Sequence, residues 1–268
     1  MRSKERRSLL LDALRAGEVD VGVLADRLAV SASTVRRDLQ RLSDENAVLR
    51  TYGGAVLATH GPEKTLDQRL ESQDLEKQAI ASAAMELVKD GDTLILDAGT
   101  TVLAFAQLLR GRRLRVITTN LALLPVLANE PDIELIVLGG SVRAVSMGTV
   151  GPLAIECMRR MTADRVFMSA DGVVAGRGLC EASLDQAFVK SAMIEQSRDV
   201  VVLADATKLG RAEQSAWTVL PRSWTLVTNA GPTDEQVIAL AASGAQPIIA
   251  QVANARTLGS GTTASLQR

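Results

Sequence analysis

The sequence predicts an α/β protein in two parts: a small N-terminal winged helix-turn-helix head, and a larger body built on a mostly parallel sheet. Three observations carry that expectation. Apolar residues recur at helical spacing in three short runs before Glu45, and arginines gather on the free face of the third. From Asp74 onward, short runs rich in Val, Ile and Leu alternate with helical patterns, as strands laid parallel with helices between them require. The length, 268 residues, suits one large domain or two unequal ones at about 100 to 200 residues each.

The first run, Ser3 to Leu14, carries Leu10, Leu11 and Leu14 on one face, with Arg2, Lys4, Arg6 and Arg7 leading and Gly17 ending it. A second helix is expected from Val21 to Leu28, with Asp20 as N-cap and Val21, Leu24, Ala25 and Leu28 on one face. After the turn Ala29-Val30-Ser31, Ser31 caps a third helix from Ala32 to about Glu45, whose Val35, Leu39 and Leu42 face a core. Its opposite face carries Ser33, Thr34, Arg36, Arg37, Gln40 and Arg41. A solvated face would explain those charges on an arbitrary helix, but two helices joined by so short a turn match a reader of the DNA major groove. VLRTYGGAVL then alternates and turns at Gly53-Gly54, a two-stranded wing in which Arg50 and Tyr52 can meet phosphates. Asp38 would repel phosphate if it pointed at DNA, so a structural role, pairing with an arginine or capping within the head, is expected.

The polar stretch that follows lacks periodicity and is expected to be a linker, residues 58–73, which contains the one histidine, His60. The body is expected over residues 74–250 and an unstructured tail over 251–268, with the head at 1–57. In the body, TLIL, RVIT, IELIVL, RVFMSA, VVVLA and TLVT read as strands buried on both faces. Helices are expected near Leu75 to Val88, Val102 to Leu109, Leu121 to Ala128, Ser183 to Gln196 and from Asp234.

Three of those strands end on a carboxylate, Asp97, Asp171 and Asp205, which a parallel sheet gathers at one edge, where open α/β folds bind ligands. Capping of the following helix competes as an explanation for each. Gly99, Thr100 and Thr101 lie between a strand and a helix N-terminus, a place suited to phosphate. Lys208 supplies a cation at the same edge, or is a solvated surface lysine. Gly139-Gly140 fits a tight turn better than a ligand loop, and Cys157 and Cys180 are expected to be ordinary half-buried thiols.

Composition narrows the function. Hydrophobic residues at 47% and charged residues at 23% exclude wholesale disorder and a rod. Aromatic residues at 2% argue against stacking on splayed single-stranded bases. Net charge is -1, yet residues 1–60 hold ten basic and eight acidic residues, and residues 61–268 hold twenty and twenty-three. Such a balance disfavours a nonspecific DNA-coating protein, whose binding is almost wholly electrostatic. Two cysteines without C-x-x-C spacing point to a reducing cytosol and away from disulfides or structural zinc. MRSKERRSLLLDAL is too broken by charge for a signal peptide, and no run of about 18 apolar residues offers a membrane span. A cytoplasmic location without membrane contact is expected.

VSASTVRRDLQRL, Val30 to Leu42, followed by RTYGGA, Arg50 to Ala55, resembles the DNA-binding head of the DeoR family of bacterial transcription regulators. Asn46 stands where that family usually has a helix-ending Gly, and Tyr52 where it often has His; Asn also accepts a left-handed cap. Over most of Asp74 to Ile249 the chain also resembles the family's effector-binding part. The shared runs are LDAGTT (Leu96 to Thr101), TTN (Thr118 to Asn120), LGG with Arg143, VGP (Val150 to Pro152), ADG (Ala170 to Gly172), VKSAMI (Val189 to Ile194) and LADATKLG (Leu203 to Gly210).

The resemblance implies a Rossmann-like sensor body similar to ribose-phosphate isomerase and glucosamine-6-phosphate deaminase, sensing a phosphorylated sugar or a related intermediate. It places Gly99, Thr100, Thr101 and Lys208 at the phosphate and Asp97, Asp171 and Lys190 around the sugar, with Gly172 and Asp205 in the same runs. Ala206-Thr207 replaces a common Ser-Ser and Thr228-Asn229 a Thr-Asp, and the second change removes a charge.

The leading expectation is a DNA-binding regulator, usually a repressor in this family, that binds double-stranded operator DNA as a dimer or larger homo-oligomer, with Ser31, Ser33, Thr34, Arg36, Arg37, Gln40, Arg41, Arg50 and Tyr52 at the DNA. The resemblance implies no catalytic residue, cofactor or metal. The competing expectation is a sugar-phosphate isomerase or deaminase with an added head. Against it, Val173 stands where the deaminase has a His.

Overall fold

A computed structural model of the chain describes residues 3–14, 19–44, 48–51, 54–57 and 65–252. The head comprises α1 (Ser3–Leu14), β1 (Val19–Asp20), α2 (Val21–Leu28), α3 (Ala32–Asp44), β2 (Val48–Thr51) and β3 (Gly54–Leu57). Leu10, Leu24, Val35 and Leu39 are fully buried in one small aliphatic core, and Val21, Leu42 and Val48 close it. Ala29 takes the left-handed conformation that ends α2, with Val30 N donating to Ala25 O at 3.0 Å. Thr34 N donates to Ser31 Oγ at 3.2 Å, the expected cap of α3.

β2 and β3 pair antiparallel from Val48↔Leu57 to Thr51↔Gly54, and β1 adds a third strand through Val19↔Ala55 and Asp20↔Gly54. The wing is therefore three-stranded where two strands were expected. Two residues of β1 are too few to show a period in sequence.

The expected linker is only partly one. Residues 65–70 form a capped helical turn, α4 (Leu66–Leu70), in which Thr65 Oγ1 accepts from Gln68 N and the Gln68 side chain accepts from Thr65 N. Arg69 Nη2 donates to Val145 O at 3.0 Å, fixing this helix to the body. Residues 58–64, with His60, and the expected tail from residue 253 lie outside the described residues.

The body continues through α5 (Asp74–Met85), β4 (Thr93–Leu96), α6 (Thr100–Gln107), β5 (Leu114–Thr118), a 3-10 turn (Leu121–Leu123), α7 (Leu124–Leu127), β6 (Ile133–Val137), the hairpin β7 (Ser141–Arg143) and β8 (Gly148–Val150), and α8 (Pro152–Met158). It ends with β9 (Ala163–Met168), β10 (Gly172–Val174), β11 (Gly178–Glu181), α9 (Leu184–Glu195), β12 (Ser197–Leu203), a 3-10 turn (Ala206–Lys208), β13 (Ala216–Thr218), β14 (Trp224–Thr228), α10 (Glu235–Ala242) and β15 (Ala245–Ile249).

Seven strands form one sheet in the order β15-β14-β12-β9-β4-β5-β6, with every neighbouring pair parallel. Their alternation divides the core. Ile95, Val166, Met168, Val202 and Leu226 face one side, where α8, α9 and α10 pack through Ala154, Met158, Val189, Met193, Val237 and Leu240. Leu94, Leu96, Phe167, Val201 and Val227 face the other, against α5, α6 and α7 through Ile80, Ala84, Val102, Phe105 and Leu127. The result is a three-layer α/β/α sandwich, the solution for strands apolar on both faces. Phe105 and Phe167, with ring centroids 4.3 Å apart, are fully buried between α6 and the sheet, each worth about 1.5 to 3 kcal/mol of burial.

From β4 the chain goes to β5 and β6 on one side, whereas β9, β12, β14 and β15 follow on the other. The direction of winding therefore reverses between β4 and β9, and such a reversal opens a crevice at the carboxyl ends of the two strands.

Candidate functional site

On the head, α3 presents Ser33, Arg36, Arg37, Gln40 and Arg41 to solvent while Val35, Leu39 and Leu42 point inward. Ser31 Oγ lies 2.8 Å from both Ser33 Oγ and Thr34 Oγ1, a hydroxyl cluster at the N-terminus of this helix. Asp38 is 2% exposed and accepts from Arg6 Nε at 2.5 Å, which pins α1 to α3 and raises the Arg6 pKa. The carboxylate among the arginines is thus removed from the exposed face of α3. Arg50 falls within β2, and Tyr52 lies outside the described residues.

The body holds a cavity of about 510 Å³ at the carboxyl edge of the sheet, within the size range of small-molecule sites. Among the residues expected at a ligand, Gly99, Thr100, Thr101, Asp171, Lys190, Asp205 and Lys208 line it. The strands that deliver Asp97, Asp171 and Asp205 are the adjacent trio β4, β9 and β12, so the expected gathering at one edge occurs.

The three carboxylates have different fates. Asp97 does not line the main cavity; it is 3% exposed, and its Oδ2 accepts from Lys190 Nζ at 2.5 Å and from Ser169 N at 3.3 Å. Asp205 lines the cavity but caps the turn that follows, accepting from Thr207 N at 3.0 Å and from Thr207 Oγ1. The capping explanation holds for it. Asp171 lines the cavity, and its Oδ2 is buried with no hydrogen-bond partner among the described residues.

Lys190 projects from α9 into this floor and is 3% exposed. Its ammonium donates to Asp97 Oδ2 and Ser169 O and stands 3.0 Å from Glu181 Oε1, so its three protons face groups of the protein. Burial opposes its charge, but Asp97 and Glu181 outweigh burial and hold it protonated above the ordinary lysine range. It acts as a brace of the floor. Gly172 does not line the cavity either. It is buried in β10, and a side chain there would collide with the Arg211 carbonyl, so its part is to let the loop carrying Arg211 approach.

Gly99 opens α6 at a φ of +152° with no side-chain cap, and a Cβ there would run into Ser169 Oγ. The first turn of α6, with Thr100 and Thr101, thus presents uncapped backbone N–H groups to the cavity.

Sequence reasoning did not single out Arg69, Lys77, Glu181, Gln186 or Arg211, all of which line the cavity. Lys77 is 5% exposed and donates to the Arg69 and Ser72 carbonyls. A signal for it existed, since Lys77 shares a helix face with Ile80, Ala81 and Ala84, where a charge is out of place. Arg69, Lys77, Lys208 and Arg211 form a cationic wall. Burial lowers the pKa of Lys208 against the opposing pull of Asp171 and Asp205, with Arg211 and Arg69 adding a smaller lowering, and burial lowers that of Lys77 against Asp205 and Asp74, with Lys208 and Arg69 adding likewise.

Thr118, Thr119 and Asn120, shared with the family pattern, are structural. Thr118 Oγ1 donates to Leu96 O at 2.6 Å and Asn120 Nδ2 to Asp97 O at 3.3 Å, locking the ends of β4 and β5 together. Gly139 and Gly140 are exposed in the turn before β7, away from the cavity, and Cys180 is fully buried rather than half-buried. Among the described residues no helix is long and apolar enough to cross a membrane, and no group of three or more His, Cys, Asp or Glu is placed to hold a metal ion.

A helix-turn-helix head joined to a parallel α/β body with a cation-lined cavity defines a two-part regulator of transcription. The chain belongs to the DeoR family: the DeoR-like helix-turn-helix domain matches residues 6–60 and the DeoR C terminal sensor domain residues 72–230. It is 34% identical over 201 residues to the HTH-type transcriptional repressor CsqR of Escherichia coli strain K12, covering 75% of this chain and 77% of that one. It is 34% identical over 234 residues to the HTH-type transcriptional repressor GlcR of Bacillus subtilis strain 168, covering 87% and 90%. A solved ribose 5-phosphate isomerase A from Methanocaldococcus jannaschii aligns with 52% of this chain and 55% of its own, at 21% identity and a TM-score of 0.38.

Proposed function

We propose that this protein is a transcriptional repressor whose affinity for operator DNA changes when a phosphorylated sugar or related metabolite occupies the body cavity. The observation that carries the reading is the cationic wall of Arg69, Lys77, Lys208 and Arg211 around the uncapped N-terminus of α6. A phosphate there gains backbone donors, a helix dipole and several cations at once. In the head, the exposed arginines of α3 are poised for base edges or phosphates of duplex DNA, with Ser31, Ser33, Thr34 and Gln40 beside them.

The protein works in this reading as a dimer or larger homo-oligomer in the cytoplasm, because one small head alone supplies little specificity. Half-sites are then spaced by multiples of about 10 bp. In this reading it is a sensor rather than an enzyme, since the Lys190 ammonium, though it lines the cavity, is engaged by Asp97, Ser169 O and Glu181.

Fluorescence anisotropy on DNA from beside its own gene, with random DNA as control, tests the reading. Specific binding that changes only when a phosphorylated sugar is added supports it. Binding indifferent to sequence and to every sugar phosphate, or turnover of a sugar phosphate by the protein, overturns it.

A further inference from the structure

Each face of the seven-stranded sheet is covered by a helical layer, and the two layers differ on their outer surfaces. Among the described residues, eight large apolar side chains are more than half exposed. Five of them belong to the layer of α8, α9 and α10: Leu153 on α8, Leu184 and Phe188 one turn apart on α9, Val219 directly after β13, and Ile238 on α10. β13 is part of this layer, since Thr218 Oγ1 donates to Ala187 O of α9 at 3.2 Å. The layer of α5, α6 and α7 shows one, Leu75. Of the three phenylalanines in the chain, two fill the core and the third, Phe188, stands 56% exposed.

α10 departs from the pattern of a surface helix. From Val237 to Ala242 it is apolar on every side, which is the composition of a buried helix. Val237 and Leu240 are buried, yet Ile238, Ala239, Ala241 and Ala242 are exposed, with no charged side chain among them. Exposed apolar surface gathered on one side of a folded chain marks an interaction site. The face is about 18 Å long, from the twelve residues of α9, and about 30 Å across, from three helices about 10 Å apart. That outline suits an ordinary protein interface, which buries about 800 Å² per partner.

We propose that the outer face of α8, α9 and α10 docks a second copy of this chain across a two-fold axis, with the two α9 helices antiparallel and Phe188 near the centre. The inference rests on the reading of the protein as a dimer or larger homo-oligomer. A two-fold interface must be complementary to itself, and the charges here meet that condition. Asp185, exposed beside Leu184 at the N-terminal end of α9, has no ion pair among the described residues. Arg159, exposed at the C-terminal end of α8, meets Glu195 of α9 only at 4.0 Å. Antiparallel pairing brings Asp185 of each copy over Arg159 of the other, so the contact occurs twice.

The chain's own C-terminal residues do not suit the face. Residues 253–268 carry two large apolar side chains, Leu258 and Leu266, in a stretch rich in Gly, Ser and Thr, too few to cover five. Joining strand to strand at the adjacent edge of the sheet is disfavoured by Pro247 in β15, which leaves the helices as the docking surface.

Sedimentation velocity of the full chain over a range of concentrations tests the proposal, with far-UV circular dichroism to check that each variant is folded. The wild type is expected as a dimer or larger. Phe188→Glu and Ile238→Glu should each raise the dissociation constant at least about thirtyfold, the loss typical of a central apolar contact, while Leu75→Glu on the other layer leaves it unchanged. Asp185→Arg and Arg159→Asp should each weaken association, and the double variant should regain most of it. If an apolar variant does not fold, the charge exchange decides alone.

An assembly as tight in Phe188→Glu and Ile238→Glu as in the wild type would overturn this face and leave the homo-oligomer standing. A double charge variant that regains nothing overturns the antiparallel arrangement. A wild type that stays monomeric throughout removes both the interface and the homo-oligomer, and leaves the face to a different protein.

Discussion

Lys190 Nζ stands 2.5 Å from Asp97 Oδ2, an ion pair in the cavity floor that ties α9 to the end of β4 across the point where the sheet reverses its winding. Both side chains are at most 5% exposed. Lys190→Met strands Asp97 and Glu181 in a low-dielectric floor and is expected to lower unfolding free energy by about 3 to 5 kcal/mol in urea titrations, whereas Asp97→Asn, which leaves Lys190 with Glu181 and Ser169 O, costs less. The double variant should recover much of that loss. Additive losses would show that the pair is not coupled.

Glu181 gives a pH signature. Its folded pKa of about 8 lies above its ordinary 4.5 because of burial first, with Lys190, Asp171 and Asp97 facing it. Between those values the folded chain holds a proton that the unfolded chain has lost. Stability therefore falls as pH rises through this window, by up to about 1.4 kcal/mol per pH unit. Comparing urea midpoints of the wild type and Glu181→Gln from about pH 5 to pH 8 isolates this slope from all other titrations. Equal slopes would mean that Glu181 is ionised in the folded protein.

Arg6 and Asp38 give a prediction for the head. Asp38→Ala frees α1 from α3 and leaves Arg6 without its buried partner, so operator affinity should drop and the head should melt at lower temperature. Ligand titrations of the same variant should be unchanged. A normal operator affinity would show that the pairing does not set the position of α3.

On α3 itself, Arg36→Ala or Arg37→Ala should cost about 1 to 3 kcal/mol of operator binding if the guanidinium reads a base, or lower the salt slope by about one if it meets a phosphate. Binding curves at several salt concentrations separate the two.

Lys208→Ala should abolish the response to phosphorylated ligands while DNA affinity in their absence stays intact. Linkage adds a check: whatever factor the ligand imposes on DNA binding, typically about 5 to 150-fold, DNA must impose on ligand binding. A mutant with a normal response would take Lys208 out of the phosphate site.

The parts legible in the sequence were those with a sustained period. All three head helices and six of the seven sheet strands stand out, because amphipathic spacing over eight or more residues and apolar runs buried on both faces leave a strong pattern. β15 did not stand out: it is an edge strand interrupted by Pro247, tolerated there because an edge strand has one side without a partner strand. Nor did β7, β8, β10, β11 and β13, each of three or four residues, too short for any period to show. The capping box at Thr65 and Gln68 was present in sequence, but the polar run around it hid it. At the cavity, Gly99, Thr100, Asp171, Asp205 and Lys208 come together from the ends of their strands, whereas Asp97 and Gly172 do not line it; Lys77 had a signal in its otherwise apolar helix face, and Arg69 and Arg211 had none.

Placement of α4 has a mechanical consequence. It is the first element of the body after residues 58–64, and its Arg69 side chain and carbonyl both belong to the cavity wall, the carbonyl through Lys77. The anchor from which the chain runs back to the head is thus a piece of the cavity wall. On the proposed reading, a ligand that engaged Arg69 would act directly on the segment from which the chain leads to the head, with no sheet between them.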